Sequence, residues 1–227
     1  MLTVKEIRYG YGAYALPPIE LNITEISNRS RSMGRTTKEQ TKEIVLSALL
    51  TALVAVLAYL GGFIKIGGFA SISLTLIPVV LGAALLGPSA GALLGGVAGT
   101  VFFATADAAF WLGLSIPGTI ITVMVKGVAS GYLAGLTYKM LEEKNKYLAV
   151  LASAIVCPVV NTSIFLLGCG LFFMDFVTSS AAEKGIGVFG YLIVFFVGLN
   201  FVLELFVNVV LSPAILRIIN IKKSFRK

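Results

Sequence analysis

The chain has no histidine, which removes imidazole-based catalysis and histidine metal sites from consideration. Charge is scarce as well: only 13% of the 227 residues are charged, and 11 of them are acidic. Cysteine is limited to Cys157 and Cys169, which fall on one hydrophobic run about 18 Å apart along a helix axis. That separation is too great for a disulfide. A GxxxxGK[ST] nucleotide loop is missing, so energy for any work must come from a partner or a gradient. The first apolar run follows the mostly polar residues 1–40, and no cleavable signal peptide is expected.

What fills the sequence instead is apolar. Hydrophobic residues make up 57% and the mean hydropathy is +0.94, more apolar surface than a soluble domain of this size can hide. Nearly uncharged runs of about 20 residues are the mark of membrane spans. Backbone polar groups in hydrocarbon must bond one another, which leaves helical bundles or closed barrels. The runs do not alternate apolar with polar residues, as barrel strands do. The expectation is an all-α integral membrane protein, a six-transmembrane-helix bundle.

The expected segments are 42–60, 70–87, 89–112, 117–139, 146–173 and 187–218. Gly87-Pro88 divides the second from the third as a helix stop and restart. The domain reading is a polar cytoplasmic extension over 1–40, a membrane domain over 41–220 and a basic tail over 221–227. Asn22-Ile23-Thr24 fits a glycosylation sequon, which this orientation places inside. Lysine and arginine set that orientation. One side collects Arg29, Arg31, Arg35, Lys38 and Lys42, then Lys139, Lys144 and Lys146, then Arg217, Lys222, Lys223, Arg226 and Lys227. The other side holds Lys65 and Lys184. Both termini are therefore expected in the cytoplasm, with outer loops at 61–69, 105–116 and 174–186. The net charge of +7 belongs to those inner loops and does not call for nucleic acid.

Within the spans the charges are few. Counting from the basic inner edges, Lys126 and Glu204 both lie about 20 Å up and Asn161 about 22 Å up. Asn200 is one turn above Glu204, and Thr162 adjoins Asn161. These residues share one level on three helices. Each charge at that depth costs at least about 2.5–3.5 kcal/mol, so it should face the bundle interior and find a partner. One reading is a structural ion pair of Lys126 with Glu204. The other is a pocket, open to the outside, in which Lys126 meets an anionic group; the added amides favour it. GGFIKIGGF (61–69), with Lys65 at its centre, could close as a lid. DAAFWLG (107–113) supplies Trp111, as a substrate wall or as part of an interfacial aromatic belt.

Gly87, Gly91, Gly95 and Gly99 recur every four residues and line one helix face for close backbone approach. In the first segment ALLTA sets Ala48 and Ala52 on one face, with Ala55 close to it; such small-residue patches also dock subunits.

Four stretches together resemble the substrate-binding S component of an energy-coupling factor (ECF) transporter. They are ALLTA, SISLTLIPVVLGAALLGPSAGALLG (71–95), PVVNTSIFLLG (158–168) and NFVLELFVNVVLSPAIL (200–216). The resemblance covers about 42–218 and implies six helices with a vitamin pocket facing outward, formed by loops 1, 3 and 5 and helices 4 to 6. Site residues on that basis are Lys126, Asn161, Thr162, Asn200, Glu204, Trp111 and Lys65. The family's alanine motif falls on Ala48 and Ala52, which would dock onto a coupling transmembrane subunit driven by two ATPase subunits. The chain itself would need no cofactor or metal, ATP being used by those partners, and would topple in the membrane to deliver its substrate. Asn-Thr on the fifth segment and Asn-x-x-x-Glu on the sixth look most like the pantothenate branch. Pantothenate is a carboxylate and suits a lone lysine. Glu204 would repel it unless Lys126 lies between them, so a thiamine- or pyridoxine-type vitamin is the alternative.

Other classes fit less well. An ion-coupled secondary transporter should show inverted repeats and interrupted helices, and no internal repeat is evident. An intramembrane enzyme would need a dyad such as Lys126 with Ser130, adjacent turns of one helix, a poor geometry for the purpose. No enzyme is expected.

Overall fold

The computed structural model describes residues 23–61, 65–66, 70–71 and 74–224. The chain divides into two compact units, Met1–Ile44 and Val45–Lys227. In the first, the described residues 23–44 are helical, including 23–40 of the polar extension. Asn22 of the sequon lies outside the described residues.

The elements are α1 (Ile23–Gly61), β1 (Lys65–Ile66), β2 (Ala70–Ser71), α2 (Leu76–Leu86), α3 (Pro88–Phe102), α4 (Ala106–Leu114), α5 (Ile116–Leu141), α6 (Lys146–Phe172), α7 (Met174–Glu183), α8 (Val188–Tyr191), a π-helical segment (Leu192–Val197) and α9 (Gly198–Ser224). The expectation of a helical membrane protein holds. Four described helices are long and apolar enough to cross a bilayer: Gln40–Gly61, Ile116–Leu141, Lys146–Phe172 and Phe201–Ile221. The bent pair α3 and α4 makes five if it counts as one span.

Two expected segments differ from the structure. The second does not start at 70. Lys65 pairs with Ser71 and Ile66 with Ala70 in a small antiparallel ribbon, and the helix begins at Leu76. With 11 residues α2 rises about 16 Å, half of a ~30 Å core. The third segment breaks after Phe102 and turns by 84° into α4. The amides of Phe103, Ala104 and Thr105 bond three residues back at 3.2, 2.9 and 2.9 Å, and the Thr105 hydroxyl donates to the Phe102 carbonyl at 2.7 Å. The last helical turn is tightened and its carbonyls are satisfied, so the helix ends there.

Local chemistry sets the other ends. Gly87 adopts φ 100°, a conformation closed to most residues, and Pro88 opens α3. The Ser115 hydroxyl accepts the Gly118 amide at 3.2 Å to cap α5. Asn145 Oδ1 accepts the amides of Tyr147 at 2.9 Å and Leu148 at 3.2 Å to cap α6.

Helix α5 is central, packed on α2, α3, α4 and α6, while α6 also packs on α9. Its seam with α3 is built of glycine on both sides. A Cβ on Gly91 would strike the Gly131 carbonyl and one on Gly95 the Gly127 carbonyl; the reverse substitutions on α5 would strike the carbonyls of Gly91 and Gly95. Gly135 continues the row: its added Cβ would sit 2.6 Å from Pro88 Cα. Bare backbones at this crossing put Lys126, next to Gly127, directly beside α3.

Two apolar clusters divide the helices' length. One holds Leu50, Val54, Val79, Leu94, Tyr138, Val150, Ile215 and Ile219. The other holds Trp111, Cys169, Phe173, Val177, Ala181 and Tyr191, where α4, α6, α7 and α8 meet. Along α6 the polar Asn161 falls between Cys157 of the first cluster and Cys169 of the second.

Candidate functional site

A cavity of ≈ 70 Å³ adjoins Lys126. Its walls are Leu57, Ala58 and Gly61 of α1, Thr75, Leu76 and Val79 at the head of α2, and Gly95, Ala98, Gly99 and Phe102 of α3. Val123, Lys126, Gly127 and Ser130 of α5 and Asn161 of α6 complete it. Among the described residues the lining is mostly apolar with one cation, one amide and two hydroxyls, the composition of a small-molecule site.

Among the described residues, half-buried Lys126 is the one charged side chain in that wall. Its Nζ lies 5.0 Å from the centre of the Phe165 ring and 5.7 Å from that of Phe102, within cation–π range of both. Glu204, 3% exposed on α9, acts on it electrostatically. The ammonium thus sits over two ring faces while its residue still lines the cavity. Asn161 is 8% exposed and faces the same space from α6. Asn208, one turn beyond Glu204, donates from Nδ2 to the Glu204 carbonyl at 2.8 Å and so secures that turn of α9.

The structure therefore brings together Lys126, Asn161 and, through electrostatics, Glu204. Thr162 is half-buried beside Asn161 and is not part of the cavity wall. Trp111 is 7% exposed and packs edge-on against Phe110, Phe165, Phe173 and Phe176, with ring centres 5.2 to 6.2 Å apart. Phe165 links it to Lys126. The side chains of Lys65 and Asn200 lie outside the described residues; their backbones belong to β1 and α9.

Sequence reasoning missed Thr75, Phe102 and Phe165 as neighbours of this space. Ser130 drew notice only as a possible nucleophile. Its hydroxyl donates instead to the Gly127 carbonyl at 3.0 Å, an internal helix bond. The four-residue spacing of Lys126 and Ser130 was a usable signal for a shared face. The rings carried none, because they come from different helices.

On α1, Leu50 and Val54 are buried, while Ala48 and Ala52 are exposed and Ala55 is half-buried. The neighbouring Val45, Leu49, Leu53 and Val56 are exposed too. Only 17% of this span is buried, against 28 to 39% for the other three long helices. Helix α1 thus turns a broad apolar face with two small residues outward.

A sequence model of the family described as "ECF transporter, substrate-specific component" matches residues 42–216. No curated protein and no solved structure matches the chain. The family match spans α2 to α8, all of the cavity wall, the second half of α1 and most of α9. With a multi-pass helical membrane domain and a cavity inside it lined by a lysine and an amide, the chain belongs to the ECF transporter substrate-specific components, substrate-capture subunits that work with a module of coupling and ATPase subunits.

Proposed function

We propose that this subunit captures a small anionic micronutrient, with pantothenate the best-fitting vitamin, from the extracellular side. The observation that carries the reading is Lys126, a cation in the wall of a largely apolar cavity that the Asn161 amide also lines. A carboxylate there gains a charge-assisted hydrogen bond in a low-dielectric setting, while hydroxyl and amide groups find Asn161, Ser130 and Thr75. Glu204, buried on α9, is not part of the cavity wall, and in this reading the ligand and not Glu204 meets the ammonium from the cavity.

At ≈ 70 Å³ the cavity corresponds to about two waters at their liquid volume. Pantothenate is larger, so capture widens the cavity, and α1 is the wall least held by neighbours. Six passes with both termini cytoplasmic, the bent α3–α4 pair and short α2 each counting as one, accord with the lysine and arginine distribution. The pocket then opens outward. Ala48 and Ala52 form the docking face for the coupling subunit, and Ala55 its edge.

Reconstitution tests this. The subunit alone should bind pantothenate and move none of it across a vesicle membrane, and adding the coupling and ATPase subunits with ATP should start uptake. Uptake by the isolated subunit under an ion gradient would make it a secondary carrier instead. Tight binding of a thiamine- or pyridoxine-type compound would keep the capture role and replace the ligand.

A further inference from the structure

Lys126 is joined to the single tryptophan of the chain by an unbroken run of ring contacts. Its Nζ lies over Phe165 at 5.0 Å, and Phe165 meets Trp111 edge-on at 5.3 Å. Trp111 meets Phe173 at 5.2 Å and Phe176 of α7 at 6.2 Å. Phe110 closes the group, 5.4 Å from both Trp111 and Phe176. Trp111 stands on α4, which follows the 84° bend, and the second ring under Lys126, Phe102, is the last residue before that bend. The ammonium thus contacts a ring on the near side of the bend directly and one on the far side through Phe165.

We propose that Phe165 is a positioning residue that couples the state of Lys126 to the packing of α4 and α7 against the end of the bundle. An anion in the cavity competes with the ring faces for the same ammonium, since a full negative charge outbids an aromatic quadrupole. When the ammonium moves off the rings, Phe165 loses one contact on its face, and the edge that Trp111 packs on is less constrained. The two short helices then answer to the cavity. Rings in edge-on contact have few alternative arrangements in a close-packed cluster, so a shift at one is passed to the next. This inference rests on the capture reading only for the anion; the link from Lys126 to Trp111 is a property of the protein by itself.

The test uses Trp111 fluorescence, free of background because the chain has one tryptophan. Full-length protein in lipid nanodiscs is compared with Lys126→Met, Phe165→Leu, the double variant and Lys126→Arg. The readouts are the emission maximum and the acrylamide quenching constant. Lys126→Met should shift emission to the red and raise the quenching constant. Lys126→Arg, which keeps a cation over the rings, should restore both toward the original values, an outcome that separates coupling from general loosening. In the Phe165→Leu background, Lys126→Met should add nothing further. Unchanged Trp111 emission in Lys126→Met, or the same shift in both backgrounds, would overturn the proposal. Pantothenate is then added to the wild type and to Phe165→Leu, with binding followed independently by calorimetry. Binding that moves Trp111 in the first and not in the second supports the coupling. Binding that moves neither overturns it. If pantothenate does not bind at all, the vitamin assignment fails and the variant series alone decides the coupling.

Discussion

Gly95 on α3 and Gly127 on α5 face each other so closely that a methyl group added to either would enter the other's carbonyl. The obstacle is backbone on both sides, which cannot rotate away as a side chain would. This contact fixes where α5 stands and therefore where Lys126, the next residue along, meets the cavity.

Gly95→Ala should accordingly destabilise the protein by roughly 2–3 kcal/mol, the upper part of the overpacking range. In a thermal melt of the detergent-solubilised protein, that is a drop of roughly 5–10 °C for a chain of this length. Gly170→Ala on α6 is the control: an added Cβ there meets nothing within 4 Å, and the melt should be unchanged or slightly raised.

Lys126 and Glu204 act on each other electrostatically, and removing Lys126 leaves the Glu204 charge buried without it. Lys126→Met and Glu204→Gln should each lower stability, while the double variant should lose less than the sum, with a coupling of about 1–3 kcal/mol. Denaturation of the four proteins measures it. Strict additivity would mean that the two charges are stabilised independently.

Ala52 is exposed on the least enclosed long helix. Ala52→Trp should leave ligand affinity within about twofold and cut coupled uptake about tenfold or more, equivalent to roughly 1.4 kcal/mol of docking energy. Normal uptake by this variant would move the docking face elsewhere.

Cys157 and Cys169 are both fully buried, the first among the α5–α6–α9 core and the second in the Trp111 cluster. Neither should react with a water-soluble maleimide until the bundle opens, so labelling followed by mass spectrometry should track unfolding. Prompt labelling of Cys169 would reveal that the α4–α7 end opens on its own.

Much of this arrangement was legible in the sequence because it is periodic or rare. The long apolar runs announced the helices, and the glycines from Gly87 to Gly99 announced a close crossing. Lys126, Asn161 and Glu204 stood out because polar groups in hydrocarbon are costly and few. The partner of the glycine row went unread, although Gly127, Gly131 and Gly135 carry the same spacing, because a pairing of two helices is not encoded in either alone. The break after Phe102 was hidden for a different reason. It depends on the Thr105 hydroxyl and three tightened hydrogen bonds inside a uniformly apolar run, where hydropathy is blind. Trp111 was read as an open alternative between substrate wall and aromatic belt. It packs in a ring cluster drawn from α4, α6 and α7, which spacing along the chain cannot foretell.

The central claim is that Lys126 receives the anionic group of a captured vitamin. Calorimetric titration of the purified, ligand-stripped protein with pantothenate, repeated on Lys126→Ala, tests it most directly. The account predicts tight binding to the first and a loss of roughly tenfold to a hundredfold in the second, the worth of one charge-assisted hydrogen bond. Equal affinity in both proteins, or a variant that is merely less stable with no vitamin bound by either, would contradict it and leave Lys126 as an internal strut of the bundle.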